Sequence, residues 1–322
     1  MDVVTEVLAA EERIRSHLRE TILEHSPVLS EQCGAQVYCK LENLQHTGSF
    51  KVRGALNKLL SLSEEQRARG VVTASTGNHG AAVAYSLSKL KASGLVFVPE
   101  NADPSKVEAI KRLGAEVRYH GQDCAEAEVY ARVYSAQQGM VYVSPYNDPQ
   151  VIGGQGTVGV ELARQLERID AVYVALGGGG LVSGIAGYLK SVLPGTQVIG
   201  CSPQNSQVMI QSVKAGEILD LLSLPTLSDG TAGGIEAGAI TFDLCRTWVD
   251  DFLTVSEEEI AASLRLFIGA HHMLIEGAAA VAIAAYLKSC QRFVDQNVVI
   301  VLCGANISLE TLRGVLNDSV QI

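Results

Sequence analysis

The sequence predicts an α/β protein of two domains, each an open, mostly parallel sheet flanked by helices. Three observations carry that prediction. Short apolar runs alternate with helical segments in two separate stretches of the chain. Three of those runs end in turns of glycine or small polar residues, after Ala74, Leu176 and Leu302. The 322 residues are 47% hydrophobic and 19% charged, enough apolar material for a large core or two ordinary ones.

Taken in order, 71–74 is an apolar strand that breaks at Ser75-Thr76-Gly77-Asn78, and 79–90 has helical composition. A strand over 94–98 leads through Pro99 and Asp103-Pro104 into a helix ending near Leu113. A strand over 115–119, a helix over 123–138 and a strand over 140–143 complete the first series. Pro145-Tyr146-Asn147-Asp148-Pro149 is dense in breakers and marks a crossing between domains. The second series has a helix over 158–166, a strand over 171–176, four glycines, and a helix from Leu181 to about Leu193. Strands at 197–201 and 252–255, helices at 257–269 and 278–289, and a strand over 298–302 follow.

Charge and targeting signals exclude several functions. Lys plus Arg number 25 against 35 Asp plus Glu, a net charge of −10, which argues against a nucleic-acid partner. The start, Met1-Asp2-Val3-Val4-Thr5-Glu6, is acidic where a signal peptide is basic. The most apolar stretch, 277–287, is far short of the roughly 20 residues that span a bilayer. A soluble protein with no membrane partner is expected. Cysteines 33, 39, 124, 201, 245, 290 and 303 are odd in number and scattered, without a C-x-x-C pair. Neither a zinc site nor a disulfide framework is expected of them, and the cytoplasm is the expected location.

Chemistry is sought at the strand ends, where open α/β sheets bind ligands. Gly177-Gly178-Gly179-Gly180 lies between a strand and a helix, so backbone N–H groups and a helix N-terminus converge on a phosphate-sized anion. A flexible turn is the alternative, but four glycines lose much backbone entropy for no packing return. The Walker spacing is absent. Gly154-Gln155-Gly156-Thr157-Val158-Gly159 fits the dinucleotide fingerprint G-x-G-x-x-G, yet it does not run directly off a strand. Close packing of a helix N-terminus explains those glycines equally well. Lys51 follows a glycine–serine turn beside Phe50, a setting for a Schiff-base lysine. Ser75-Thr76-Gly77-Asn78-His79 offers hydroxyls, an amide and a helix start to a carboxylate, with plain N-capping as the alternative reading. Cys303 alone reads as a buried thiol.

Together Ser49-Phe50-Lys51 with Arg53-Gly54-Ala55, Ser75 to Gly80, Gly177 to Gly180, and Cys303-Gly304-Ala305-Asn306 resemble the pyridoxal-phosphate-dependent serine/threonine dehydratase and serine racemase family, of the tryptophan synthase β-chain fold. The resemblance runs from about Ser26 to Asn306. It implies a cofactor-binding domain of 1–45 plus 146–322, a smaller substrate-loop domain of 46–145, and an active site between them. It also implies that Lys51 holds pyridoxal 5'-phosphate through an imine, with Phe50 beside the ring. Asn78 would meet the ring hydroxyl, Gly177, Gly178, Gly179 and Gly180 the phosphate, and Cys303 the pyridine nitrogen, where many relatives have serine. Ser75, Thr76, Gly77, Asn78 and His79 would receive the substrate carboxylate. The implied reaction is β-elimination of a small hydroxyamino acid (serine, threonine or 3-hydroxyaspartate type) to a 2-oxo acid and ammonia, in a homodimer.

Departures from the family pattern keep other functions open. Thr76 stands where racemases have serine and several dehydratases have alanine, so it keeps a hydroxyl and leaves racemisation open. Val52 replaces the aspartate of threonine-synthase-like replacement enzymes, and His79 the threonine of sulfhydrylases. The run Cys201-Ser202-Pro203-Gln204-Asn205-Ser206-Gln207-Val208 has no carboxylate where metal-activated relatives place acidic ligands, so no metal is expected there. Asp229 to Glu236 departs from the usual pattern and is expected to border the substrate pocket; Glu236 is either a surface charge or a substrate reader. A non-catalytic cofactor carrier or sensor is the rival of another class. No regulatory domain is expected after Ile322.

Overall fold

Strands that read as unbroken apolar runs are those buried on both faces, the signature of parallel strands covered by helices. In the computed structural model, which describes residues 1–317, ten strands form two sheets. They are β1 (Leu23–His25), β2 (Gln36–Lys40), β3 (Val71–Ala74), β4 (Gly94–Val98), β5 (Glu116–Tyr119), β6 (Val141–Tyr142), β7 (Ala171–Ala175), β8 (Gln197–Pro203), β9 (Asp251–Val255) and β10 (Asn297–Val301). The larger sheet has the order β1-β2-β10-β7-β8-β9, parallel except for β1, which runs against β2. The smaller has the order β5-β4-β3-β6 and is parallel throughout. The α/β class with two helix-flanked sheets is therefore observed. Ile322, and the expectation attached to it, lies outside the described residues.

Position in the sheet explains sequence character. Every residue of β3 and of the central strand β7 is buried. The helix Gly277–Ser289 buries ten consecutive residues, Gly277 through Tyr286, against the larger sheet, which explains its alanine content. The carboxyl ends of β3, β7 and β10 run into Ser75, Gly177 and Cys303, so two sheets present three turns to one space.

Three sequence expectations need correction. The helix over 158–166 actually runs Pro149–Gln165: Asp148 caps it by accepting from the N–H groups of Gln150 and Val151, and Pro149 occupies its first turn. The G-x-G-x-x-G glycines consequently lie in mid-helix and not at a helix start, and none lines the ligand cavity described below. They are small because backbones approach there. A Cβ on Gly154 would lie 2.6 Å from the Arg53 oxygen, and one on Gly156 2.9 Å from the Gly184 oxygen. Finally, Cys33 and Cys290, separated by 257 positions, form a disulfide with Cα atoms 5.8 Å apart. Scatter along the chain did not disclose it, because the fold brings the end of the helix Pro27–Cys33 against the short turn Cys290–Phe293. The other five cysteines are free.

Candidate active site

The turn before Lys51 is shaped by left-handed backbone at Thr47 (φ 63) and Gly48 (φ 71), and it pairs with the segment leaving β10. Ser49 bridges Gly304, the Phe50 N–H donates to the Cys303 oxygen at 3.1 Å, and the Ala305 N–H donates to the Gly48 oxygen at 2.9 Å. These contacts bring the lysine and the thiol, remote in sequence, to one wall. Lys51 Nζ donates to the Pro145 oxygen at 2.9 Å and lies 5.3 Å from the centre of the Phe50 ring. Burial pulls its pKa down to about 8, while the nearby Glu276 carboxyl pulls the other way. Such an amine is far more available as nucleophile or base than a surface lysine.

Across the cavity, the glycine turn leads into the helix Gly180–Val192, whose N-terminus no side chain caps. Its first N–H groups are the ones a helix leaves unpaired, and the dipole there favours an anion. The turn is confined. A Cβ on Gly177 would lie 2.7 Å from the Thr231 oxygen, and one on Gly178 2.5 Å from the Tyr146 ring. Gly179 has φ 85, backbone that other residues rarely adopt.

The third wall is 75–79. Neither Ser75 nor Thr76 caps the helix Asn78–Leu90; the Ser75 hydroxyl accepts from the Gly77 N–H at 3.2 Å. His79 is buried, its Nε2 3.0 Å from the Val143 oxygen. Burial first, then the nearby Lys51, lowers its pKa to about 3, so the ring is neutral and Nε2 is the donor to that carbonyl. Asn78 is oriented by partners the sequence reading did not assign. Its Nδ2 donates to both oxygens of Glu276 (3.0 and 2.9 Å), and its Oδ1 accepts from Asn306 Nδ2 at 2.6 Å. The Asn306 N–H also donates to Glu276, at 3.1 Å, and Cys303 Sγ donates to it at 3.8 Å. Burial raises the Glu276 carboxyl pKa and pushes the Cys303 thiol well above its usual range.

All these groups face one cavity of about 840 Å³. Every residue singled out as a site residue lines it: Phe50 and Lys51, 75–79, 177–180, and Cys303. Residues 229–234 line it as well, as expected, but Glu236 does not. Glu236 accepts from Arg132 at 2.8 Å, and its N–H donates to the Tyr146 hydroxyl at 2.9 Å. Among the described residues no group of three or more His, Cys, Asp or Glu is placed to hold a metal ion.

Residues 14–304 match the family model described as pyridoxal-phosphate dependent enzyme. The chain belongs to this pyridoxal-phosphate-dependent family. It is 39% identical over 320 residues to an L-threonine ammonia-lyase of Thermotoga maritima, covering 99% of this chain and 79% of the relative. Its fold superposes on the processed form of threonine deaminase isoform 2 from Solanum lycopersicum with a TM-score of 0.93 at 32% identity, covering 98% and 92% of the two chains. Maize serine racemase gives a TM-score of 0.91 at 30% identity, with 98% and 97% covered. The chain is thus a lyase-type member of a family that uses pyridoxal phosphate. Its cavity fits that cofactor. A half-buried amine stands ready for the aldehyde, and the confined glycine turn and uncapped helix start suit the phosphate.

Sequence reasoning missed Glu276, and it quoted Asn306 without giving it a role. No local signal marks Glu276; it is a lone acid between Ile275 and Gly277.

Proposed function

We propose that this protein is an ammonia-lyase that removes the β-hydroxyl of a small hydroxyamino acid, of the threonine or serine type, to give a 2-oxo acid and ammonia. The observation that carries the reading is one cavity holding both the half-buried Lys51 amine and the confined glycine turn. The relatives named as threonine ammonia-lyase and threonine deaminase support the reaction class.

Bound there, pyridoxal phosphate supplies the electron sink that loosens the bond to the α-hydrogen and the bond to the β-hydroxyl. The chain supplies the rest. Gly177 to Gly180 would hold the phosphate with backbone N–H groups, and Phe50 would pack beside the ring. Asn78, held by Glu276 and Asn306, would meet the ring hydroxyl. Ser75 to His79 receive the substrate carboxylate at a helix start. Lys51 Nζ takes the α-proton, a task suited to an amine whose pKa is about 8. The Cys303 thiol, kept protonated by burial, places no negative charge at the pyridine nitrogen.

A second reading, racemisation, is favoured by one observation: Thr76 keeps a hydroxyl and lines the cavity. The active site is proposed to lie between a domain of 1–45 plus 146–322 and one of 46–145, in a cytoplasmic homodimer. Among the described residues no helix is long and apolar enough to cross a membrane.

Release of 2-oxo acid and exchange of the α-hydrogen, measured over L- and D-serine, L- and D-threonine and 3-hydroxyaspartate, test the reading. Keto-acid release from an L-hydroxyamino acid that outpaces exchange supports a lyase. Exchange with inversion and little keto acid supports the racemase and overturns the first reading.

A further inference from the structure

Arg53 stands two residues beyond Lys51 on the helix Lys51–Ser61, outside the cavity and fully buried. Its guanidinium is gripped by two carboxylates, each through two hydrogen bonds. Nε and Nη2 donate to Glu42 at 2.7 Å each; Nη1 and Nη2 donate to Glu161 at 2.7 and 3.0 Å. Nη1 also donates to the Thr157 hydroxyl at 3.1 Å. Glu161 takes a further bond from Lys40 Nζ at 2.6 Å, and the side chains of Lys40, Glu42, Arg53 and Glu161 are wholly buried.

These partners sit on separate elements: Lys40 ends β2, Glu42 lies in the turn that follows, and Glu161 lies on the helix Pro149–Gln165. Backbone contact backs up the ionic grip. A Cβ on Gly154 would lie 2.6 Å from both the Arg53 oxygen and the Gly54 Cα, so the helix Pro149–Gln165 touches the lysine helix directly. Its other side touches the helix that starts at the glycine turn, where a Cβ on Gly184 would lie 2.5 Å from the Ile152 oxygen. One helix therefore joins the amine-bearing helix to the helix that the glycine turn begins.

Buried ion pairs seldom stabilise a fold more than apolar packing of the same volume would, because desolvation offsets their attraction. Two bidentate pairs on one guanidinium do fix geometry, since a planar fork accepts carboxylates in few orientations. We infer that Arg53 is a positioning residue for Lys51: clamped by Glu42 and Glu161, it sets where the amine stands relative to the glycine turn. The inference rests on the proposed function for the role of that amine.

The test uses the full chain with Arg53→Lys, Arg53→Met, Glu42→Gln and Glu161→Gln. The glutamine variants keep side-chain shape and leave Arg53 one carboxylate, so they decide the matter if the arginine variants do not fold. The first readout needs no cofactor. Acetylation of Lys51 in the cofactor-free protein, followed across pH by peptide mass spectrometry, reports the titration of its amine. The groups facing that amine, His79, Glu276 and Cys303, are unchanged in all four variants. In the wild type the amine titrates near 8. In variants that loosen the clamp the amine is less desolvated by the surrounding wall, and the midpoint rises by about one unit. With cofactor, kcat falls about 10- to 100-fold while KM stays within about threefold, the cost of misplacing a reacting group by around 1 Å. Arg53→Lys, which keeps the charge but not the fork, recovers part of the Arg53→Met loss. Variants that melt like the wild type yet keep both the Lys51 titration and kcat overturn the inference and leave Arg53 a packing residue. A wild type that never takes up pyridoxal phosphate sinks the proposed function instead, while the acetylation measurement still decides the clamp.

Discussion

Lys51 is held in a place that disfavours its own charge, and that has a consequence for stability. Its pKa is about 8 in the folded chain against 10.5 for an ordinary lysine, so between those values the unfolded chain binds more protons. Stability of the cofactor-free protein therefore rises with pH from about 8 to 10.5 through this group, and Lys51→Met flattens the rise; urea unfolding at several pH values checks it. His79 acts in the acid range with the same sign. Its pKa of about 3 lies below the usual 6.5, so its contribution is complete above 6.5 and is lost as pH falls towards 3. Glu276 is the residue that orients Asn78. Glu276→Gln replaces one acceptor with a donor facing donors, which costs about 1–3 kcal/mol. Roughly tenfold weaker cofactor binding or turnover, read by titration and kcat, is expected; unchanged values would show that the contacts to Asn78 are incidental. Lys51 was legible because its neighbours, Ser49 to Ala55, form a local pattern. Glu276 was not, since the asparagines that give it a role lie 198 and 30 positions away.

Among the elements, the helix Pro149–Gln165 carries the packing between the two faces of the site. Gly184→Ala drives a Cβ to 2.5 Å from the Ile152 oxygen and 2.7 Å from the Gly156 nitrogen, backbone atoms that cannot swing aside. Overpacking of that kind costs about 1–3 kcal/mol. Gly195→Ala meets nothing within 4 Å and stays within about 0.5 kcal/mol of the wild type. Thermal melts of the two variants test the contrast, and equal melting temperatures would contradict the close backbone approach. Buried parallel strands were the most legible elements: β3, β4 and β7 read as short apolar runs ending in turn residues. The edge strand β1 and its neighbour β2 were not, since Leu23–His25 and Gln36–Lys40 carry charged and polar residues without an apolar run. The start of the helix Pro149–Gln165 was lost because 145–149 read as a breaker cluster and the glycines as a fingerprint or a helix start, whereas tertiary contact makes those glycines necessary in mid-helix.

At the scale of the molecule, the cavity draws its walls from the strand ends of both sheets, so a ligand filling it links the two halves. Ion pairs already cross there: Lys106 with Asp229 at 3.2 Å, and Arg132 with Glu236 at 2.8 Å. Pyridoxal phosphate at a hundredfold excess over its dissociation constant stabilises the protein by about 2.7 kcal/mol, and Gly178→Ala, whose Cβ would enter the Tyr146 ring, removes most of that gain. Melting with and without the cofactor checks this. The Cys33–Cys290 bond teaches the complementary lesson, that a pairing made only by the folded whole leaves no trace in residue spacing.

The measurement that tests the central claim most directly is borohydride reduction of the cofactor-loaded protein followed by peptide mapping. The account predicts that the visible absorption of the bound cofactor disappears on reduction and that one peptide gains the mass of the reduced cofactor, with the added mass on Lys51. A colourless protein that takes up no pyridoxal phosphate, or a label on any other lysine, would contradict it.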